Sequence, residues 1–268
     1  MAIVPPPHVL AHFPKAQKSS TFIKSFLWFA RHVLGKNEND VALLLSICSD
    51  DLNNVQIPDT DMVGPFMLGG LDGYPFVGRT GLGAFSHHIP KNGVALMFYG
   101  PHVGITNSGE VGSVIRPGQA DKSSCCGAAS SALRDLENHA ISKKPIEKFD
   151  LDDFQQESIR QWVLEHENEI IGAGPQGGPA RFLKLTEVIY DLSHESMLRH
   201  LSKVELHFPA FIFGGILINE DGLNESDIEF RDLAFVHHGK IESMSDQFIE
   251  VTKSRFEALK AGDKDAFR

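Results

Sequence analysis

The chain has 268 residues, of which 42% are hydrophobic and 22% are charged, an ordinary balance for a globular enzyme. Its formal net charge of −10 argues against nucleic acid or an anionic membrane as the main partner, and no stretch approaches the roughly 20 apolar residues of a membrane span. The three cysteines, two of them adjacent, do not form a disulfide framework, so we expect a reducing compartment, the cytoplasm.

The first 40 residues are predicted to be an arm and a helix at the start of a single domain that spans residues 1–268. The helix is predicted at 21–34, because apolar residues recur there at helical spacing. Its apolar face is unusually aromatic and includes Phe22, Phe26 and Phe29. Such a face suits either the core of the domain or a dimer surface.

Apolar runs and helix-like segments then alternate, which predicts an α/β fold with a mostly parallel central sheet flanked by helices. The strands are predicted at 41–47, 94–99, 208–219 and 228–236, the last at an edge because it alternates more than the others. The helices are predicted at 123–140, 153–171, 181–201 and 243–261. Residues 58–93 are rich in glycine and proline, and so long a loop-like stretch is usually functional or a lid.

Three residues of types that bind zinc stand beside these elements. Cys48 ends the first strand run, His102 follows the second, and Cys126 opens a helix whose N-cap is predicted to be one of the two preceding serines. The carboxyl ends of neighbouring parallel strands meet at one edge of a sheet, and the helix dipole favours a thiolate. Two thiolates and one imidazole leave one tetrahedral position free, as in catalytic zinc sites. The alternative is that these are buried apolar cysteines and a loop histidine.

Charged residues near this group suit a catalytic site. Asp50, two residues after Cys48, can accept a hydrogen bond from a metal-bound hydroxide or occupy the fourth metal position itself. A guanidinium can hold this carboxylate by a bidentate contact; Arg79 and Arg116 are both candidates, and a surface salt bridge is the alternative for each. His88 suits a proton carrier because imidazole titrates near neutral pH, or it is a structural residue of its loop.

A different chemistry can be assigned to the same residues. With Cys126 as nucleophile and His102 as base, the protein would be a thiol hydrolase. The position of Cys126 at the start of a helix fits this reading. No other signature of such a nucleophile is present in the sequence.

Several segments resemble, in family order, those of the LCIB family, which is named for a limiting-CO2-inducible protein of algae. The resemblance covers most of residues 45–130 and rests on CSDD, GLDGYPFVGRTGLGAFSHHIP, GPHVGI followed by GEVG, RPGQ and CCGAA. It implies a fold and active site similar to those of β-class carbonic anhydrases, and a homodimer. It also implies a zinc ion held by Cys48, His102 and Cys126.

The resemblance also extends to residues around the metal. Asp50 matches the family aspartate, and Arg79 is the best match for its arginine. Cys126 is preferred to Cys125 because the family cysteine directly precedes Gly-Ala. Leu52 stands where the CxDxR motif of ordinary β-class enzymes has arginine, as fits the LCIB branch.

The activity implied by the resemblance is zinc-dependent, reversible hydration of CO2 to bicarbonate by a metal-bound hydroxide. Asp50 would orient the hydroxide and an arginine would keep Asp50 ionised. The CO2 pocket has as candidate lining residues Phe66, Tyr74, Phe76 and Phe85. The alternative is a catalytically inactive relative that binds CO2 or bicarbonate or serves in assembly, because family membership alone does not bring catalysis.

Overall fold

A computed structural model describes residues 4–55, 57, 61–204, 206–222 and 225–267. The strands are β1 (Ala16–Lys18), β2 (Val41–Ser46), β3 (Val63–Met67), β4 (Val94–Tyr99), β5 (His102–Ile105), β6 (Ser113–Val114), β7 (Ser123–Ser124), β8 (Ala210–Glu220), β9 (Asp227–His237) and β10 (Lys240–Ser243). The helices are α1 (Pro7–Leu10), α2 (Ser19–Leu34), α3 (Gly78–Ser86), α4 (Gly127–Glu137), α5 (Phe154–Glu165), α6 (Glu167–Gly172), α7 (Pro179–Leu201) and α8 (Ser245–Lys260).

Within these residues, one eight-stranded sheet has the order β1-β9-β8-β4-β2-β3, with β10 also paired to β9 and β5 to β8. The pairs β2–β3, β2–β4, β4–β8 and β5–β8 are parallel, whereas β9 runs antiparallel to its neighbours. Helices α2 and α8 cover one face, and α4, α5 and α7 cover the other. The predicted α/β fold with a mostly parallel central sheet flanked by helices is therefore confirmed.

The central strand β4 shows why its sequence is a continuous apolar run. All six of its residues are buried, because both faces of a parallel sheet are covered by helices. Successive side chains point to opposite faces: Leu96 and Phe98 belong to the cluster under α2, and Met97 and Tyr99 to the cluster under α7.

The aromatic face of α2 belongs to the core of this chain and not to a dimer surface. Its phenylalanines are at most 1% exposed. The ring of Phe22 meets that of Phe213 edge-on at 5.0 Å, and the ring of Phe26 meets it at 5.2 Å. Edge-to-face pairs at this distance add to the free energy of burial, so this cluster fixes α2 against β8.

Two helix boundaries differ from the sequence prediction. The predicted N-cap serines are wrong: Ser123 and Ser124 form β7, which pairs with β6, and Cys126 occupies the N-cap of α4. The helix predicted at 153–171 is interrupted at His166, which ends α5 and caps α6. In both places local pairing or a turn overrides a continuous helical pattern in the sequence.

The sheet also differs from the prediction at its antiparallel side. The strand predicted at the edge, 228–236, is part of β9 and is paired on both sides. Its polar residues are accommodated by ion pairs, such as that of Glu229 with Arg231 at 3.3 Å. The segment predicted as a functional loop, 58–93, contains β3 and α3, and its residues 58–60 lie outside the described part of the chain.

Among the described residues, no helix combines the length and the apolar character that crossing a membrane requires.

Replacing Leu44 by alanine is expected to lower the free energy of unfolding by about 2–5 kcal/mol, because it leaves a cavity in the middle of β2, where Leu44 is 0% exposed. Leu151, which is 86% exposed, supplies the matched control. We expect Leu151→Ala to change stability by no more than about 0.5 kcal/mol. Urea unfolding at one protein concentration measures both, and equal losses would contradict this account of the core.

Candidate metal centre

The chain brings Cys48, His102 and Cys126 together at the carboxyl edge of the parallel strands. Cys48 follows β2, His102 begins β5, and Cys126 caps α4. Between β4 and β5 the chain turns at Gly100, which has a φ of 156° and on which a Cβ would collide with the carbonyl oxygen of Gly215. Only glycine permits this close approach, which delivers His102 to the edge beside β8.

The three side chains fit a metal ion. One ligand atom from each lies within 4.8 Å of the other two, and all three residues are buried. The Nε2 atom of His102 is buried, and no residue in the described part of the chain forms a hydrogen bond with it. A buried polar atom left unpaired is costly, and coordination of a cation by Nε2 would remove that cost. Two sulfurs and one imidazole nitrogen are a donor set that zinc prefers.

The orientation of the His102 ring is set by Asn219, which the sequence analysis did not single out. The amide nitrogen of Asn219 donates to the Leu52 carbonyl at 2.8 Å and to the Ser226 hydroxyl at 3.0 Å. Its carbonyl oxygen therefore faces Nδ1 of His102, at 2.8 Å, and accepts the Nδ1 proton. This contact selects the tautomer that leaves Nε2 free as a ligand.

The sulfur of Cys48 is prepared to carry negative charge. A hydrogen bond from the Cys126 thiol, with further help from His102 and the backbone N–H of Asp50, lowers the pKa of Cys48 to about 4, although burial opposes this. The N–H of Asp72 also donates to this sulfur, at 3.2 Å. Burial alone would keep His102 neutral, but the sulfurs of Cys125 and Cys48 outweigh it and raise the pKa of His102. The centre of this group thus favours a positive charge, which a metal ion would supply.

Asp72 is a second residue of the site that the sequence analysis missed. Its carboxylate accepts the backbone N–H of His102 at 3.2 Å and is 1% exposed. Burial raises the pKa of Asp72 to about 6. Its φ of 51° lies in the left-handed region, which aspartate tolerates better than most residues. The signal was present in the sequence as an aspartate between glycines, in GLDG.

Asp50 lies beside the metal-binding group, and Arg116 holds it there. The Nη2 atom of Arg116 is 2.9 and 3.2 Å from the two carboxylate oxygens, and the N–H of Leu52 donates to one of them at 3.1 Å. The partner predicted from the resemblance, Arg79, is therefore wrong. It lies in the first turn of α3 with its side chain exposed, and its charge acts on His200 instead.

Cys125 lies on the other side of the imidazole ring from the predicted ligands. Its sulfur is 3.5 Å from Nδ1 of His102 and 3.4 Å from the Asn219 carbonyl oxygen. Asp50, His102 and Cys125 also form a group within 4.8 Å. Because Nδ1 donates to Asn219, Nε2 is the ring nitrogen that remains available to a metal ion. This nitrogen is assigned to the group that contains Cys126, the cysteine preferred from the sequence.

The structure does not bring His88 to the site. Helix α3 begins beside Leu68 at the carboxyl edge of the sheet and runs back from it, and His88 lies just beyond its last residue. There His88 is exposed, with its ring 6.0 Å from that of Phe66. The predicted role as a proton carrier finds no support in this position.

The four aromatic residues predicted to line a CO2 pocket fall into two pairs. Phe66 and Phe85 pack together, with ring centroids 5.8 Å apart, between β3 and α3. Tyr74 and Phe76 follow Asp72 in the chain and pack on Trp162 at 4.4 and 5.8 Å. Neither pair makes a described contact with the three metal-binding side chains.

Replacing Asn219 by alanine is expected to weaken Zn²⁺ binding by about 10- to 100-fold, because the His102 ring loses the contact that orients it. Asn107→Ala is the matched control, since Asn107 is exposed and away from the ring. Competition with a zinc-binding indicator measures both affinities. Unchanged affinity in Asn219→Ala would show that the ring is oriented by other contacts.

The family profile of the limiting CO2-inducible proteins B/C, beta carbonic anhydrases, matches residues 23–253 of the chain. No match is found among curated proteins.

Solved structures share the fold. The crystal structure of PtLCIB4, a homolog of the limiting CO2-inducible protein LCIB, superposes with a TM-score of 0.73 at 24% identity, over 88% of this chain and 98% of that one. The crystal structure of LCIB itself superposes with a TM-score of 0.66 at 17% identity, over 88% and 96% of the two chains. Identities this low speak for the fold alone, whereas the sequence profile spans most of the chain. The chain therefore belongs to the family of limiting CO2-inducible proteins B/C, the β-carbonic-anhydrase-like LCIB family.

Proposed function

We propose that this protein catalyses the reversible hydration of CO2 to bicarbonate with a zinc ion as cofactor. The observation that carries the proposal is the buried group of Cys48, His102 and Cys126, in which Nε2 of the histidine has no hydrogen-bond partner among the described residues. Membership of a carbonic-anhydrase-like family supports the same reaction class. With three protein ligands, the metal would keep one position open for a reacting molecule.

The zinc ion, when bound, supplies hydroxide at neutral pH by lowering the pKa of water to about 7. Cys48 enters this site as a thiolate, because its pKa is about 4. Cys126 would bind as a thiolate and lose its proton to water, although its hydrogen bond to Cys48 and its burial raise its pKa above the ordinary thiol value in the metal-free protein. His102 would bind through Nε2, because Nδ1 donates its proton to the Asn219 carbonyl oxygen.

Asp50 is proposed to accept a hydrogen bond from the attacking oxygen and so to orient it toward CO2. Its carboxylate lies within 4.8 Å of a ring nitrogen of His102, and Arg116 binds both of its oxygens. The guanidinium fixes the direction in which the carboxylate points. The same two contacts tie Asp50 to the protein, which favours the role of hydrogen-bond acceptor over that of a fourth metal ligand.

Two further parts of the proposal concern the state of the protein. Three free, buried cysteines suit the reducing cytoplasm. We propose a homodimer from the family resemblance, with CO2 and bicarbonate as the ligands of each subunit.

A non-catalytic relative that binds CO2 or bicarbonate is the alternative, and it would hold zinc without turnover. The thiol hydrolase is less well supported, because its nucleophile, Cys126, has a raised pKa: it donates to Cys48 and is buried. A nucleophilic cysteine needs the opposite shift.

The central prediction is that the zinc-loaded protein hydrates CO2 and that Cys48→Ser abolishes both zinc binding and activity. Cys125→Ser makes the same chemical change at the sulfur that faces Nδ1, and we expect it to retain zinc. Elemental analysis and stopped-flow CO2 hydration on the same samples provide the two measurements. Equal hydration rates in wild type and Cys48→Ser would overturn the proposal, and zinc without hydration in the wild type would establish the non-catalytic alternative.

A second prediction separates the two arginines. Arg116→Ala should lower kcat/KM by about 100-fold, because Asp50 loses the contact that orients its carboxylate. Arg79→Ala is the matched control and should stay within about twofold, as for a surface residue away from the reacting atoms. Zinc content should be normal in both variants. The reverse pattern, with Arg79→Ala the inactive one, would restore the arginine chosen from the resemblance.

A further inference from the structure

An apolar groove of about 450 Å³ lies beside β1 and β9 and shares no lining residue with the candidate metal centre. One wall is the N-terminal arm, through Val4 and Leu10, and the other is α8, through Phe256 and Leu259. The groove falls within the range of volumes typical of small-molecule pockets, which are mostly apolar with a few polar groups.

The floor of the groove is formed by the core of the protein. Phe22 and Phe248 are at most 3% exposed, and their rings lie 6.5 Å apart. Above them, Ile249 is 46% exposed, so the apolar surface of the groove continues from the core to the outside of α8. An exposed apolar surface of this kind, continuous with the core, is typical of a ligand-binding groove.

The rim of the groove carries charge opposite to that of the protein as a whole. Its basic residues are Lys15, Arg231, Lys253 and Lys260, and its acidic residue is Glu257. Lys260 is paired with Glu257 at 3.1 Å. Lys15 and Lys253 are exposed and make no side-chain ion pair among the described residues. In a chain with a net charge of −10, two unpaired lysines at an apolar groove are complementary to an anion.

Unpaired polar atoms occur on residues of the same groove. Nε of Arg231 and Oε1 of Gln17 are buried without a hydrogen-bond partner among the described residues. The terminal Nη2 of Arg231 is engaged by Glu187 and Glu229, at 2.6 and 3.3 Å. The guanidinium is thus held in place while one of its donors remains free, and buried donors of this kind are usually satisfied.

From the apolar floor, the unpaired lysines and the free donor, we propose that this groove binds an amphipathic anion, namely a free long-chain carboxylate whose chain lies over Phe22 and Phe248 and whose head group lies near Lys15 and Lys253. The site is separate from the metal centre and does not depend on the proposed hydration of CO2.

The test is isothermal titration calorimetry of the full chain with dodecanoate, kept below its micelle concentration. We expect one molecule bound per chain, and dodecyltrimethylammonium, which has the same chain and the opposite charge, to bind at least about tenfold more weakly. The double variant Lys15→Glu, Lys253→Glu should lose at least about tenfold in affinity for dodecanoate. Lys143→Glu is the matched control, because Lys143 is exposed and does not line the groove.

Three results would overturn the proposal. They are no binding of dodecanoate by the wild type, equal binding by the wild type and the double variant, and binding that ignores the charge of the head group. A second copy of the chain could occupy the groove instead of an anion, and sedimentation velocity on the same samples detects this. If the double variant converts a dimer to a monomer and dodecanoate does not bind, the groove is a subunit interface. A cooperative urea unfolding transition in the double variant shows that it is folded.

Discussion

The hydrogen bond between Nδ1 of His102 and the side chain of Asn219 is the contact on which the candidate metal centre depends. It joins the first residue of β5 to β8, more than 100 residues later in the chain, at 2.8 Å. Asn219 in turn holds the carbonyl of Leu52, which follows Asp50 in the loop after β2. One buried amide therefore sets the tautomer of the imidazole and the position of the loop that carries Cys48 and Asp50. Loss of any one of these hydrogen bonds would weaken the others, because the same Asn219 amide group makes all of them.

A buried ion cluster stabilises the strand that carries Asn219. The next residue of β8, Glu220, pairs with Lys18 at 2.8 Å, and Lys18 also pairs with Asp227 at 2.9 Å. Lys18 comes from β1, so the N-terminal arm reaches the neighbourhood of the metal centre through this cluster. The carboxylates raise the pKa of Lys18 against the effect of its own burial. Replacing one member would leave an uncompensated buried charge, which is costly, and this explains why so short a strand holds its place in the sheet.

The apolar runs in the sequence predict the strands well because burial on both faces of a parallel sheet requires them. The strand predicted at 94–99 coincides with β4, and the helix predicted at 21–34 lies within α2. The predicted start of a helix was wrong where short polar segments pair as strands, as at Ser123 and Ser124. The prediction of an edge strand at 228–236 was wrong because β1 and β10, which pair with β9, are too short to be recognised in the sequence. The alternating pattern of β9 is the one expected of an edge strand.

The three residues of the candidate metal centre could be named from the sequence, because residue type, strand ends and family motifs all point to them. Their environment could not. The arginine beside Asp50 is Arg116 and not Arg79 because the β6–β7 hairpin folds over the loop after β2, a contact between segments that are 66 residues apart. Asp72 reaches the site from a turn with left-handed backbone, and Asn219 reaches it from β8, far along the chain. Neither position can be recognised from a periodic pattern in the sequence. The sequence by itself determined the central strands, the long helices and the three residues of the candidate metal centre, because these follow from local burial, composition and family motifs. Only the tertiary structure decided which charges and hydrogen bonds meet at those ligands, because such contacts depend on the distance between segments far apart in the chain.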